Sequence, residues 1–299
     1  MPGATSTSSN NELRLGDGRI LGYGEWGARD GPLVLGFHGG GLSRLAHYGD
    51  EAPSRAGLRL VLPDRPGFGL SDRRPDGSLL DWARDVGEFA TLLGAKRFAV
   101  FGASAGGPGA LACGYLLPDR VAAVGVVCGV GPYQDEPELA HFLEKKRQAL
   151  VELARSDPDA ALARIRDDCE AGVENAEALL DDWPPGTPDS DRRVMADAAI
   201  RARFVAALRE SVARGPAGCV DETLRNYARA WGFALSAIQV PVHIWHGGRD
   251  RIVPVQVAEL LADRIEGATL HVFPEEGHAI DYPHIDEILS RLGEAVDGR

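Results

Sequence analysis

Basic charge is what this chain is short of: 32 Lys and Arg stand against 44 Asp and Glu, a formal net charge of −12 over 299 residues. No basic stripe offsets that acidity, which argues against a nucleic-acid partner and otherwise serves solubility. Cysteine is scarce as well. Cys113, Cys128, Cys169 and Cys219 form no C-x-x-C pair and no metal-like spacing, and two of them lie inside apolar runs. Buried free thiols are expected, rather than a disulfide framework or a metal site. No stretch approaches the ~18 apolar residues of a membrane span, and no internal repeat is present. The opening MPGATSTSSNNE lacks the charged and apolar regions of a secretory leader. It reads as a disordered tail over residues 1–11, and a reduced, cytoplasmic setting is expected.

What is present is the ordinary stock of a globular protein, 44% hydrophobic and 25% charged, long enough for a sizeable core. Residues 12–15 and 19–25 flank Gly16-Asp17-Gly18 as a hairpin. Short apolar runs then alternate with helical patterns. Strands are predicted over 33–37, 59–62, 98–101, 122–128, 240–245 and 269–273, and helices over 46–56, 78–93, 105–117, 255–265 and 285–296. Ser78 with Asp81 makes a capping box for the second of those helices. Continuous apolar strands separated by helices predict a mostly parallel sheet covered on both faces, an α/β fold. Between 134 and 235 the rhythm changes to helical patterns rich in Ala, Arg, Glu and Asp, broken by DDWPPGTPDSD at 181–191. The chain thus divides into a core over 12–133 and 236–299 and a helical insertion over 134–235.

FGASAGG, residues 101–107, carries the chemistry. It sets Gly102-Ala103-Ser104-Ala105-Gly106, a G-x-S-x-G pattern, between a buried strand and a helix. A serine at such a turn is held in strained backbone geometry, and side chains two residues to either side would collide. The bland alternative is a small-residue helix start packed on a sheet. A serine hydroxyl needs a base, and the base needs an orienting acid. His278 fits the base, on the loop after the 269–273 strand in FPEEGHAI. His246, at a strand end, is the competitor; His243 and His271 fall in strands, and His47, His141 and His284 in helices or at helix ends. Asp250 in HGGRDRIVP is the only carboxylate of the loop that follows the 240–245 strand, and its bland role would be a helix cap or an arginine partner. The other place for an acid, after the 122–128 strand, offers no carboxylate before Asp135. FHGGGLS, residues 37–43, follows another strand, and its glycines let the backbone approach a reacting oxygen. Two N–H donors for an oxyanion are expected, from Gly40 (Gly41 being the alternative) and from Ala105.

With these pieces in place, the chain resembles the α/β-hydrolase superfamily over nearly its whole length. The order Ser104, Asp250, His278 is that family's nucleophile–acid–base order, and DRPGFGLSD at 64–72 looks like its D-x-P-G-x-G-x-S loop. The resemblance implies eight strands with the second antiparallel, and makes 134–235 a helical cap. Haloalkane dehalogenases and epoxide hydrolases of this fold use an aspartate where this chain has Ser104, which disfavours both activities.

The expected activity is that of a serine hydrolase acting on an ester or other acyl bond of a small molecule. It requires no metal and no organic cofactor. Hydrolysis of an amide (as by iminopeptidase-like relatives), a thioester or a carbon–carbon bond would use the same triad. A non-catalytic ligand-binding protein on this fold is the reading from another class. An iminopeptidase would need insert carboxylates to grip an amine, and Glu138, Glu144, Asp181 and Asp182 read mostly as solvated helix faces.

Overall fold

Runs such as LVLGF, FAVFGA and VAAVGVV have no polar side, so they are stable only with apolar cover above and below. The computed structural model, which describes residues 8–174, 178–181 and 184–298, supplies that cover. The strands are β1 (Ser8–Arg14), β2 (Ile20–Gly27), β3 (Leu33–Phe37), β4 (Arg59–Pro63), β5 (Phe98–Ala103), β6 (Val121–Val127), β7 (Val242–Gly247) and β8 (Thr269–Phe273). They form one eight-stranded sheet in the order β1-β2-β4-β3-β5-β6-β7-β8. β2 is antiparallel to both its neighbours, and every other pairing is parallel. This is the α/β-hydrolase sheet that the sequence predicts.

Helices α1 (Glu51–Ala56), α2 (Leu79–Leu92) and α3 (Gly107–Leu116) alternate with the early strands, and α4 (Lys145–Ser156), α5 (Pro158–Glu174), α6 (Asp189–Ala196), α7 (Ala198–Ser211) and α8 (Ala217–Thr223) follow β6. The late helices are α9 (Val255–Arg264) and α10 (Ile285–Asp297). Alternate strand residues divide between the two faces of the sheet. Leu35, Phe98 and Val100 pack with Val86 and Phe89 of α2, Leu111 of α3 and Leu261 of α9. Val34, Ala99 and Phe101 pack with Ala52 of α1 and with Ile288 and Leu292 of α10. Each such side chain, fully buried, contributes about 1.5–3 kcal/mol. Ser78 caps α2, and the capping box with Asp81 forms as expected.

Most expected boundaries fall within two residues of those observed, and two differ by more. β1 starts at Ser8, which pairs with Glu25 of β2, so residues 8–11 belong to the sheet rather than to a tail; residues 1–7 lie outside the described part. The first helix starts at Glu51, not near Ala46, because Asp50 turns its carboxylate to the backbone N–H of Gly27, 2.7 Å away. From β6 the chain runs through α4–α8 and returns to β7, which pairs with β6 in parallel (Val124 opposite Val242). The described residues of 134–235 include no strand. Of the DDWP break, Asp182 and Trp183 lie outside the described residues. No helix among the described residues is long and apolar enough to cross a membrane.

Candidate active site

β5 ends at Ala103, a short 3-10 turn takes Ser104–Gly106, and α3 follows. Ser104 sits at φ +51°, a left-handed conformation uncommon for a residue with a side chain. The crowding that demands glycine on either side is present. A Cβ on Gly102 would lie 2.2 Å from the Gly106 carbonyl oxygen, and one on Gly106 would lie 2.4 Å from that of Phe37. No larger residue fits at either place. The Ser104 hydroxyl makes no hydrogen bond among the described residues.

The glycine loop leaves β3, the strand next to β5, and runs beside this turn. A Cβ on Gly39 would be 3.8 Å from that of Ser104, and one on Gly40 would be 3.4 Å from that of Ala105. The loop is tied to the segment after β4. The Arg65 N–H donates to His38 Nε2 at 3.2 Å, which assigns the ring proton to Nδ1, and Nδ1 donates to Gly39 O at 3.0 Å. Burial, with the Arg65 charge beside it, pushes the His38 pKa well below its usual value, so the ring stays neutral. Arg65 Nη1 donates to Ala105 O at 2.8 Å and Nη2 to Gly39 O at 2.9 Å.

Asp250 follows β7 and His278 follows β8, so both leave the same edge of the sheet as Ser104. His278 Nδ1 and Asp250 Oδ2 are 2.7 Å apart. The other Asp250 oxygen accepts from the N–H groups of Ile252 at 2.7 Å and Val253 at 2.9 Å. Burial alone would raise the Asp250 pKa, but the charges of His278 and His246 and these N–H groups hold it below the usual carboxylate value. Burial likewise pulls His278 down, and the carboxylates of Asp250, Asp191 and Asp281 outweigh it, so its pKa is raised. His246 is wholly buried, with Nε2 2.9 Å from Val253 O and 3.4 Å from Asp250 Oδ2. The structure thus joins Asp250 directly to His278 and seats Gly39 and Gly40 against Ser104 and Ala105.

The helical insert contributes residues for which the sequence offered no signal. Asp191, at the start of α6, is 2% exposed and accepts from the backbone N–H of His278 at 2.9 Å and of Ala279 at 3.0 Å. Ser190 Oγ accepts from Gly277 N at 3.2 Å. Glu222 of α8 is buried beside Arg65, 2.6 Å away from Nη2. That contact is an ion pair rather than an aligned hydrogen bond, since Glu222 Oε1 has no well-directed donor. By contrast, Glu138, Glu144 and Asp181, acids of the same insert, are exposed. Cys128, His246 and Asp250 are the one group of donors among the described residues close enough to share a metal. Asp250 is already engaged by His278, and His246 Nε2 faces Val253 O, so this cluster is part of the acid–histidine pair.

A serine on a strand-to-helix turn, a glycine loop beside it and an acid–histidine pair from two later strands leave one edge of an α/β-hydrolase sheet. The chain belongs to the alpha/beta hydrolase family, whose model matches residues 33–289. It is 27% identical over 281 residues to a 2-hydroxy-6-oxo-6-phenylhexa-2,4-dienoate hydrolase of Burkholderia cepacia, covering 87% of this chain and 85% of that one. It is 25% identical over 285 residues to a bifunctional esterase/perhydrolase of Acinetobacter calcoaceticus, covering 92% and 95%. Among solved structures, a hydrolase of Pseudomonas aeruginosa shares the fold at a TM-score of 0.70 and 21% identity, covering 97% of this chain and 98% of that one.

Proposed function

We propose that this protein is a serine hydrolase that cleaves an ester, or another acyl bond, of a small molecule through Ser104, His278 and Asp250. The observation that carries the proposal is the 2.7 Å pairing of His278 with a buried Asp250 at the strand edge that also bears the strained Ser104 turn. In this mechanism Asp250 accepts a hydrogen bond from Nδ1–H of His278 and so leaves Nε2 as the base. Ser104 Oγ attacks the carbonyl carbon while His278 takes its proton. The N–H groups of Gly40 and Ala105 receive the negative charge that forms on the carbonyl oxygen. His278 then protonates the leaving group, and a water activated by the same ring releases the acyl-enzyme. His246 is unsuited to be the base, being fully enclosed with its Nε2 turned to Val253 O.

The insert acts in this reading as a lid over the serine, a role supported by the contacts of Asp191 with the His278 loop and of Glu222 with Arg65. Four free thiols, three of them buried, suit a cytoplasmic protein. Carbon–carbon bond hydrolysis by the same residues is the second reading, favoured by the likeness to the oxo-dienoate hydrolase.

A fluorophosphonate probe tests the proposal: it should label wild-type protein to one equivalent, at Ser104, and leave Ser104→Ala unlabelled. Acyl esters of graded chain length, assayed beside amides, thioesters and a 2-hydroxy-6-oxo-dienoate, then separate the two readings. A folded protein that neither labels nor turns over any of these overturns both and leaves the ligand-binding alternative.

A further inference from the structure

We infer that Arg65 is the positioning residue of the oxyanion hole, and that Glu222 makes that hole depend on a seated insert. This rests on the serine-hydrolase reading above and goes beyond it.

A run of three glycines, Gly39-Gly40-Gly41, has no side chain to fix its peptide planes and more backbone freedom than any other sequence. Yet a donor to an oxyanion must be aimed before the charge develops. In a planar trans peptide the C=O and the following N–H point in opposite directions. Whatever holds Gly39 O therefore aims Gly40 N–H. Two donors hold it: His38 Nδ1 from the same loop and Arg65 Nη2 from the loop after β4. The other Arg65 nitrogen, Nη1, grips Ala105 O. One rigid guanidinium plane thus spans the peptide that carries Gly40 N–H and the residue, Ala105, that carries the second donor, and sets their spacing. A lysine, with one nitrogen, cannot reproduce this fork.

Arg65 is 6% exposed, and so is Glu222. A cation removed from water to that degree needs a counter-charge, and Glu222 provides it from α8, inside the insert. The pairing works in the other direction too. Glu222 Oε2 lies 3.4 Å from Gly41 N and 3.3 Å from where a Gly40 Cβ would stand, so an uncompensated carboxylate there would oppose an oxyanion. Asn226, also in the insert, adds a long contact of 3.4 Å to Ala105 O. A lifted insert leaves Arg65, and with it the grip on Gly39 O and Ala105 O, without a counter-ion; a seated one completes the hole.

The test uses full-length protein, an ester that the wild type hydrolyses, and a trifluoromethyl ketone with the same acyl group. Ser104 adds to that ketone and leaves its oxygen as an oxyanion. Arg65→Lys should lower kcat about 10–100-fold with KM within about 3-fold, and Arg65→Met about 10²–10³-fold, the loss typical of one oxyanion donor. Ketone affinity should fall in parallel with kcat/KM. The acid limb of the pH profile, which reports His278, should not move, and the fluorophosphonate should still reach one equivalent, more slowly. Adding Glu222→Gln to Arg65→Met should restore about 10-fold of the loss. The single Glu222→Gln variant, nearly isosteric, covers the case in which Arg65 variants do not fold, and should lower kcat and ketone affinity together by about 3–10-fold. The inference is overturned if folded Arg65→Lys matches wild type. It is also overturned if kcat and ketone affinity fail to fall together in any folded variant, or if Glu222→Gln changes neither. A wild type that labels no serine fails the catalytic reading instead, a separate result.

Discussion

The sheet and the helical insert are built on different physics. Every residue of β3, β5 and β6 is buried, and the helices on both faces add Leu, Ile, Phe and Trp to two continuous apolar clusters. In the insert α4 buries only Val151 and Ala154, and the middle helices share small clusters such as Ile165, Cys169 and Val220. Its stem, through Leu139, Leu143 and Val151, joins the main core. Where the insert meets the candidate site, polar contacts stand beside the small apolar cluster around Leu42: Glu210 with Arg44, Glu222 with Arg65, Asp221 with Arg73, Asp191 with the His278 loop. Apolar burial has no preferred direction and locks a sheet by area alone. Ion pairs and hydrogen bonds specify one seat, and they can be broken and remade in water. The difference makes the sheet the fixed frame and fits the proposal that the insert is an adjustable cover.

The largest effect should follow from removing chemistry at the sheet edge. Ser104→Ala and His278→Ala should each lower kcat/KM by at least about 10⁴-fold, because a triad acts as a unit. Neither side chain belongs to the apolar clusters, so thermal unfolding should stay close to that of wild type. Near-normal turnover by Ser104→Ala would remove the serine from the mechanism. Next in size is the frame itself. Phe101→Ala in β5, wholly buried, should cost about 3–5 kcal/mol in denaturant unfolding. If the cost falls below about 1 kcal/mol, the sheet is not the rigid partner in the comparison.

The same division explains what the sequence disclosed. β3 and β8 fall at Leu33–Phe37 and Thr269–Phe273, as expected, because an apolar run bounded by turn residues is a local signal. The hairpin strand expected over 12–15 is the end of β1, whereas its start, residues 8–11, was hidden because a stretch of Ser and Asn shows no apolar pattern and is defined only by its pairing with β2. Ser104 and its flanking glycines were legible because the turn is written within five residues, even though the crowding at Gly106 comes from Phe37 on the neighbouring strand. Asp191 was not, since its partner His278 is 87 positions away and nothing near α6 distinguishes it from a solvated acid. Glu222 was lost among the insert's acids for the same reason. Arg65 fills a variable place of the 64–72 motif, and its grip on Gly39 and Ala105 exists only once three loops meet.

A smaller effect tests whether the insert reaches the chemistry. The His278 pKa lies above its usual value through Asp250, Asp191 and Asp281, and the base must be neutral. Activity should therefore fall as pH drops through a value above 6.5, the ordinary value for histidine. Asp191→Asn removes one of the three charges, so the acid limb of kcat/KM should move to lower pH, by less than about one unit. The variant then keeps a larger share of its plateau activity at pH 6 than wild type does. An unmoved limb, or one displaced upward, means that the charge of α6 is not felt at the ring.

The smallest effect should come from the outermost tie between the two regions, Arg229 with Asp76, whose side chains are 42% and 87% exposed. Water screens such a pair, and ordering two mobile side chains offsets most of its attraction, leaving about 0–1 kcal/mol. Arg229→Gln should accordingly change the unfolding midpoint by no more than a degree or two and KM by less than about twofold, with the difference vanishing at high salt. The inner contacts at Arg65 and Asp191 are enclosed, so salt should affect them far less. A tenfold change in KM for Arg229→Gln would reverse this ranking, making the rim rather than the enclosed pairs the element that seats the insert over the sheet.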